Sequence, residues 1–183
     1  TTEVHIGQQH SVERIVSCAR DAVDKAGIPE SDLKGIGIGS PGPLDIFSGI
    51  VLSPVNFSTW GNVPLRQIVS DAFGGPPTAI DNDANVVAYG ENWLGAGKDT
   101  ENFLCITLGT GVGGGVVSEG RLVHGFDGNA AEIGHMSIDY DGPPCNCGNL
   151  GCLEVYCSAT GMVRRTLAIM TVETPKTTLT ADG

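Results

Sequence analysis

One histidine and three cysteines stand at H-x9-C-x-C-x4-C spacing in this chain: His135, Cys145, Cys147 and Cys152. Nitrogen and thiolate sulfur at such short intervals supply the four donors of a closed tetrahedral zinc shell. A shell closed by four protein ligands leaves no position for a reacting molecule, so the metal it holds is structural. Two carboxylates, Glu132 and Glu154, flank the ligands. A metal tie between them would keep both in fixed relation, as recognition of a polyol requires. Cys157, five residues past Cys152, is a second candidate for the fourth ligand, although a helix separates it from the loop ligands. The plainer readings are a surface turn for Glu132, and for Glu154 an anion favoured at a helix N-terminus.

Two further segments carry chemistry. Leu108–Gly115 contains a formal G-x-G-x-x-G at Gly109, Gly111 and Gly114. A dinucleotide fold needs that motif between a strand and a helix. Here Val116–Ser118, a Glu119-Gly120 turn and another apolar run follow, and no Gly-Lys-Ser/Thr completes a P-loop. The pattern supports a β-hairpin whose turn offers amide N–H groups and the Thr110 hydroxyl, a cradle for phosphate oxygens. A tight glycine hairpin without a ligand is the alternative. Upstream, Asp81-Asn82-Asp83-Ala84-Asn85 lies where a strand gives way to a helix, a place suited to ligands in α/β folds. Helix capping would use one of these side chains. Four polar side chains in five residues exceed that need. A carboxylate beside an amide suits general-base work on an alcohol, the amide orienting the hydroxyl that the carboxylate deprotonates.

The elements that must position these groups follow from hydrophobic spacing. Ser11 is expected to cap a helix to Ala26, with Val12, Ile15, Val16, Ala19, Ala22 and Val23 at helical intervals and Gly27 as its stop. Strands are expected at Gly35–Gly39, Gly49–Ser53, Thr78–Asp81, Phe103–Leu108, Gly113–Ser118, Arg121–His124 and His135–Asp139, with a turn at Ser40–Asp45. Helices are expected from Pro64 to Phe73, from Ala84 to Leu94, and from Leu153 to Met170 with a break near Ser158–Gly161. Alternation of this kind defines an α/β class with a mixed sheet.

Composition narrows the function. The chain has 183 residues, 40% apolar and 17% charged, so a packed domain is expected rather than disorder. A net charge of −11 argues against a nucleic-acid surface, which needs clustered Lys and Arg. The first ten residues are polar, and no apolar run approaches the ~20 residues that span a bilayer. Of the six cysteines, Cys18 lies in the apolar stripe region of a helix and Cys105 within a strand, where buried free thiols are common. A reducing, cytoplasmic setting without membrane association is therefore expected, with the remaining cluster binding metal rather than forming disulfides.

Taken in order, four motifs between Gly35 and Ser158 resemble the ROK family (repressors, open reading frames and sugar kinases), on the actin-like/hexokinase, ribonuclease H-like fold. Gly39-Ser40-Pro41-Gly42-Pro43-Leu44-Asp45 resembles its sugar-side loop, Asp81–Asn85 its catalytic motif, and Leu108–Gly115 its second phosphate loop. Glu132-Ile133-Gly134-His135 with Cys145, Cys147, Cys152 and Glu154 resembles its sugar-and-zinc signature. The resemblance implies that Asp83 is the general base for attack of a hexose 6-hydroxyl on the γ-phosphate of ATP, with Mg2+. It implies that Gly42, Asn82, Glu132, His135 and Glu154 bind the sugar and that Gly109, Thr110 and Gly111 face the phosphates. It also implies structural zinc on His135, Cys145, Cys147 and Cys152. His135 can serve both metal and sugar only by dividing its ring nitrogens.

The resemblance further implies a homodimer, with residues 1–80 as the remainder of an N-terminal lobe and 81–183 as the start of a larger C-terminal lobe. Ser53-Pro54-Val55-Asn56 and Trp60-Gly61-Asn62-Val63-Pro64-Leu65 resemble the glucokinase branch, making glucose the expected acceptor. An N-acetylglucosamine or N-acetylmannosamine kinase and a sugar-sensing repressor are the alternatives, and ATP or polyphosphate is open as donor. The family's Asp-x-Gly-Gly-Thr phosphate loop and its C-terminal segment are not found in these residues. The 183 residues alone are therefore expected to be a poor catalyst, with function belonging to a longer parent protein.

Overall fold

Hydrophobic periodicity forms helix α1 over Gln8–Ala26, which stops on Gly27 in the left-handed region at φ 65°. The helix starts ahead of the expected cap. Gly7 holds the N-cap position, and the buried Ser11 hydroxyl donates back to the Gly7 carbonyl at 2.9 Å. Val12, with Ile15, Val16, Ala19 and Val23 beside it, packs on a core of Leu44, Val51, Trp60, Val63, Leu65, Val69, Phe73 and Ile80. Cys18, expected in this stripe, is exposed, because it sits about 100° around the helix from Ala19. A computed structural model describes residues 5–52 and 60–173. The Ser53–Asn56 segment and the polar Thr177–Gly183 tail lie outside the described residues.

Strand β1 (Ile36–Ser40) pairs in parallel with β4 (Thr78–Asn82), which sets Ser40 opposite Asn82. Between them the expected turn contains a short strand, β2 (Leu44–Asp45), antiparallel to β3 (Ile50–Val51). The second strand is thus shorter than Gly49–Ser53 among the described residues. Pro64 precedes helix α2 (Leu65–Ala72), whose Leu65 and Val69 enter the core. β4 runs directly into helix α3 (Asp83–Leu94). β5 (Phe103–Leu108), β6 (Val112–Ser118) and β7 (Arg121–Leu122) form an antiparallel meander in that order. The class is mixed α/β, as expected, and among the described residues it is built from three small sheets rather than one.

Beyond β7 the expected strand His135–Asp139 does not form. Ile133–His135 is one 3-10 turn, and the pairing reduces to a single bridge between Ser137 and Cys152. Two backbone bonds form that bridge, the Ile138 amide donating to Gly151 and the Leu153 amide to Met136. The pairing goes no further because the 3-10 turn precedes it and the chain turns again at Asp139, whose carbonyl accepts from the Gly142 amide at 3.0 Å. Helices α4 (Leu153–Cys157) and α5 (Ala159–Glu173) break at Ser158, whose hydroxyl accepts from the Gly161 amide at 3.0 Å.

The glycine run of β6 is closely packed on both of its faces. A Cβ at Gly113 would come 2.8 Å from Ala84 Cβ, and one at Gly115 would overlap Ala88 Cβ, both on α3. On the opposite face a Cβ at Gly114 would press on Ile133 and the Ala131 carbonyl. Overpacking of this kind costs about 1–3 kcal/mol. Gly115→Ala is therefore expected to lower the stability of the protein by that amount in urea unfolding, and an unchanged midpoint would show that α3 does not rest on this strand.

Candidate functional site

The β4–α3 junction divides its polar residues by task. Asn82 is the helix cap: its Oδ1 accepts from the Ala84 amide at 2.9 Å and from the Asn85 amide at 3.4 Å. With Oδ1 so used, its Nδ2 lies near Gly42, where a Cβ would stand 3.7 Å away. Asp83 opens the helix with Oδ1 accepting from the Ala84 amide. Asp81 and the buried Asn85 bind one another, Asn85 Nδ2 to Asp81 Oδ1 at 2.9 Å. Capping thus accounts for Asn82, and Asp83 remains.

The G-x-G-x-x-G is the turn of the β5–β6 hairpin, as its strand context predicts. Thr107 pairs with Gly113 and Leu108 with Val112, leaving Gly109–Gly111 at the tip. The carbonyls of Gly109 and Thr110 are held from the α5 side, by the Ala159 amide at 2.9 Å and the Thr160 hydroxyl at 2.7 Å. The Val112 amide donates to Glu154 Oε2 at 3.1 Å. Gly111 has no side chain because that carboxylate occupies the space. Glu154 therefore joins the first turn of α4 to the hairpin tip.

His135, Cys145, Cys147 and Cys152 converge. Their ligand atoms all lie within 4.8 Å of one another. His135 Nδ1 is 3.7 Å from Cys145 Sγ, and Cys147 Sγ is 3.6 Å from Cys152 Sγ. Cys157 stays out of the group, its thiol donating to the Leu153 carbonyl within α4. Burial, then the neighbouring thiols Cys147 and Cys145, push the Cys152 thiol up to about 12. The Asn149 backbone holds Cys147 below the usual thiol range. A bound cation offsets the cost of the buried thiolate, so this one-nitrogen, three-sulfur donor set fits zinc.

These groups meet at one pocket of about 680 Å³. Gly42, Asn82, Asp83, Gly109, Thr110, Gly111, Glu132, His135, Cys147 and Glu154 all contribute to its wall. Cys145 and Cys152 are buried behind it. Glu132 retains solvent contact, yet loss of water raises its carboxyl pKa above the usual range. His135 opposes that rise, while Asp83 and Glu154 add to it. Three carboxylates and one imidazole thus face a shared space with mainly acceptor character, matched to a ligand rich in hydroxyl donors. Asn129 and Asn146 also line it and were not foreseen from sequence. For Asn129 the available signal was its place in the loop just before Glu132, after Gly128 at φ 87°.

The fold and pocket place this chain in a known class. The sequence matches the ROK family over residues 1–181, and the chain belongs to that family. It is 44% identical over 167 residues to a glucokinase of Halalkalibacterium halodurans, covering 88% of this chain and 50% of that protein. It is 41% identical over 137 residues to the xylose repressor of Caldicellulosiruptor bescii, covering 75% of this chain and 34% of that protein. The structure of a ROK family glucokinase from Streptomyces griseus in complex with glucose and AMPPNP aligns with a TM-score of 0.70 at 39% identity, covering 87% of this chain and 50% of that one. The fold is accordingly that of the actin-like ROK sugar kinases. The chain spans about half the length of the curated relatives it matches. No helix among the described residues is long and apolar enough to cross a membrane.

Metal analysis of the purified protein is expected to find a single zinc ion per chain. Cys152→Ala should abolish it and Cys157→Ala should leave it intact, as read by elemental mass spectrometry. Zinc loss in the Cys157 variant would reassign the fourth ligand.

Proposed function

We propose that these residues form the sugar-binding and catalytic part of an ATP-dependent kinase acting on the 6-hydroxyl of a hexose, with glucose as the preferred acceptor and Mg2+ accompanying the nucleotide. The observation that carries this reading is the sharing of one pocket by the Asp83 carboxylate and the Gly109–Gly111 hairpin tip. One wall offers a base for an alcohol, the other offers backbone for phosphate oxygens. The glucokinase likeness, at 44% identity, supports the same acceptor. In this reading, residues 1–80 belong to one lobe and 81–183 begin the larger one.

Asp83 is assigned the general base, taking the 6-hydroxyl proton as that oxygen attacks phosphorus. Asn82, capped to α3 through Oδ1, keeps its Nδ2 for a sugar oxygen or the attacking hydroxyl, beside the open backbone of Gly42. Glu132 and Glu154 accept from the remaining hydroxyls, and Glu154 ties that contact to the hairpin through Val112. Zinc, when held by His135, Cys145, Cys147 and Cys152, supplies a cross-link and no reactive position. Because His135 Nδ1 faces the Cys145 sulfur, Nε2 is left for a ligand hydroxyl. Gly109, Thr110 and Gly111 are assigned to the nucleotide phosphates. Catalysis here is positioning and electrostatics.

The likeness to a xylose repressor favours a second reading, a sugar sensor that binds without phosphorylating. Turnover separates the two. With the full-length protein and ATP, glucose, N-acetylglucosamine and N-acetylmannosamine are to be compared as acceptors. Glucose is expected to be phosphorylated, and Asp83→Asn to lower kcat by about 10²–10⁴-fold while zinc content and glucose binding persist. Zinc-loaded protein that binds a hexose but phosphorylates none would establish the sensor.

A further inference from the structure

Asp83 reaches the pocket from the start of α3, and Glu132 from the loop ahead of the Ile133 turn. Behind burial, the neighbouring Asp83 charge helps to raise the Glu132 carboxyl, so the two carboxylates repel. A contact that joins the β4–α3 junction to the Glu132 loop would oppose that repulsion. Asp81 is placed to do so from outside the pocket wall. Its Oδ1 accepts from the Asn82 amide at 2.7 Å and from Asn85 Nδ2 at 2.9 Å, and its Oδ2 lies 2.6 Å from His124 Nε2. Asn85 is only 1% exposed and lies under Gly115, so this end of the contact is set in the packed α3–β6 interface.

His124 heads the loop that carries Glu132. The residue before it is fixed to β6 by the Val123 amide donating to Val116 at 2.8 Å. The His124 carbonyl accepts from the Ala130 amide at 3.1 Å, closing the loop two residues ahead of Glu132. Gly125, Gly128 and Ala131 bend this loop through positive φ, so its shape depends on how its ends are held. Helix capping does not explain Asp81, because Asn82 already performs it.

We propose that the Asp81–His124 pair is a positioning clamp that sets Glu132 against Asp83 and thereby fixes affinity for the hexose. The proposal rests on the hexose-kinase reading above. Neither residue lines the pocket; Asp81 acts through the end of β4 and His124 through the loop that leads to Glu132. The Asp81 and His124 side chains are 22% and 31% exposed, so the pair is partly withdrawn from water; loss of His124 removes the partner of Asp81 Oδ2, while Oδ1 keeps Asn82 and Asn85.

The test uses the full-length, zinc-loaded protein with His124→Phe, which keeps a ring but no donor, and His124→Gln, whose Nε2 reaches the same place. In His124→Phe, kcat/KM for glucose is expected to fall on the order of 10²-fold, the loss a misplacement near 1 Å can cause. The loss should appear mainly in the glucose KM, with the KM for ATP unchanged. His124→Gln should recover most of it. Calorimetry gives the glucose Kd in parallel and should follow the same pattern. A His124→Phe protein with lower Tm but unchanged glucose KM and Kd would overturn the clamp, reducing the pair to a stabilising contact. Equal losses in both variants would overturn it too. Wild type that binds glucose without phosphorylating it would overturn the kinase reading while the Kd series still decides the clamp, and no hexose binding would overturn both.

Discussion

The structure depends on the run of three glycines within β6. Gly113, Gly114 and Gly115 let β6 pass between α3 and the turn at Ile133, with backbone where side chains would otherwise stand. That approach brings the Asp83 helix start and the Glu132 turn against opposite faces of one strand. The same economy recurs at its edges. Gly134 allows its turn to meet the Val112 carbonyl, and Gly111 makes room for Glu154. The start of α3, the Glu132 turn and Glu154 thus come close to this hairpin where a Cβ is absent. The run that looks like a nucleotide signature therefore serves packing as well as the pocket, which both its Gly109–Gly111 tip and Gly113 and Gly114 help to line.

Electrostatics then shapes what the pocket accepts. Three carboxylates repel one another, and partial loss of water makes this worse for Glu132. Such a site needs ties that do not themselves line the cavity. The four-residue nitrogen–sulfur cluster is one, joining the His135 turn to the base of α4 and hence Glu132 to Glu154. The Val112–Glu154 bond is a second, and the Asp81–His124 pair a third. A neutral polyhydroxyl ligand suits the result, since its hydroxyls can donate to each carboxylate without adding charge.

Much of this was legible in the chain because the decisive signals are local. Phe103–Leu108 and the α3 helix are bounded in sequence by turn residues and caps, and the strand context around Gly109 alone excludes a dinucleotide fold. The ligand spacing from His135 to Cys152 announces the histidine–cysteine cluster, since loop residues ten to seventeen positions apart can meet without help from the rest of the fold. What failed to show was set elsewhere. The strand expected at His135–Asp139 reduces to one bridge, and its first residue belongs to the 3-10 turn in which Gly134 fits against Val112, a contact that no local pattern records. Asp81 looks like one more capping acid until His124, 43 residues away, is brought to it. The two-residue strand β2 is too short for periodicity to reveal, and α1 starts early because glycine can occupy an N-cap without a side-chain signal.

The central claim is that one hexose fits this pocket in one orientation, with its 6-hydroxyl on Asp83. The measurement that tests it most directly is a crystal structure of the zinc-loaded, full-length protein with glucose. The account predicts O6 within hydrogen-bond reach of the Asp83 carboxylate and Asn82, and the other hydroxyls on Glu132, Glu154 and His135 Nε2. Glucose bound with its anomeric carbon at Asp83, or bound outside the wall shared by Asp83 and the Gly109–Gly111 tip, would contradict it.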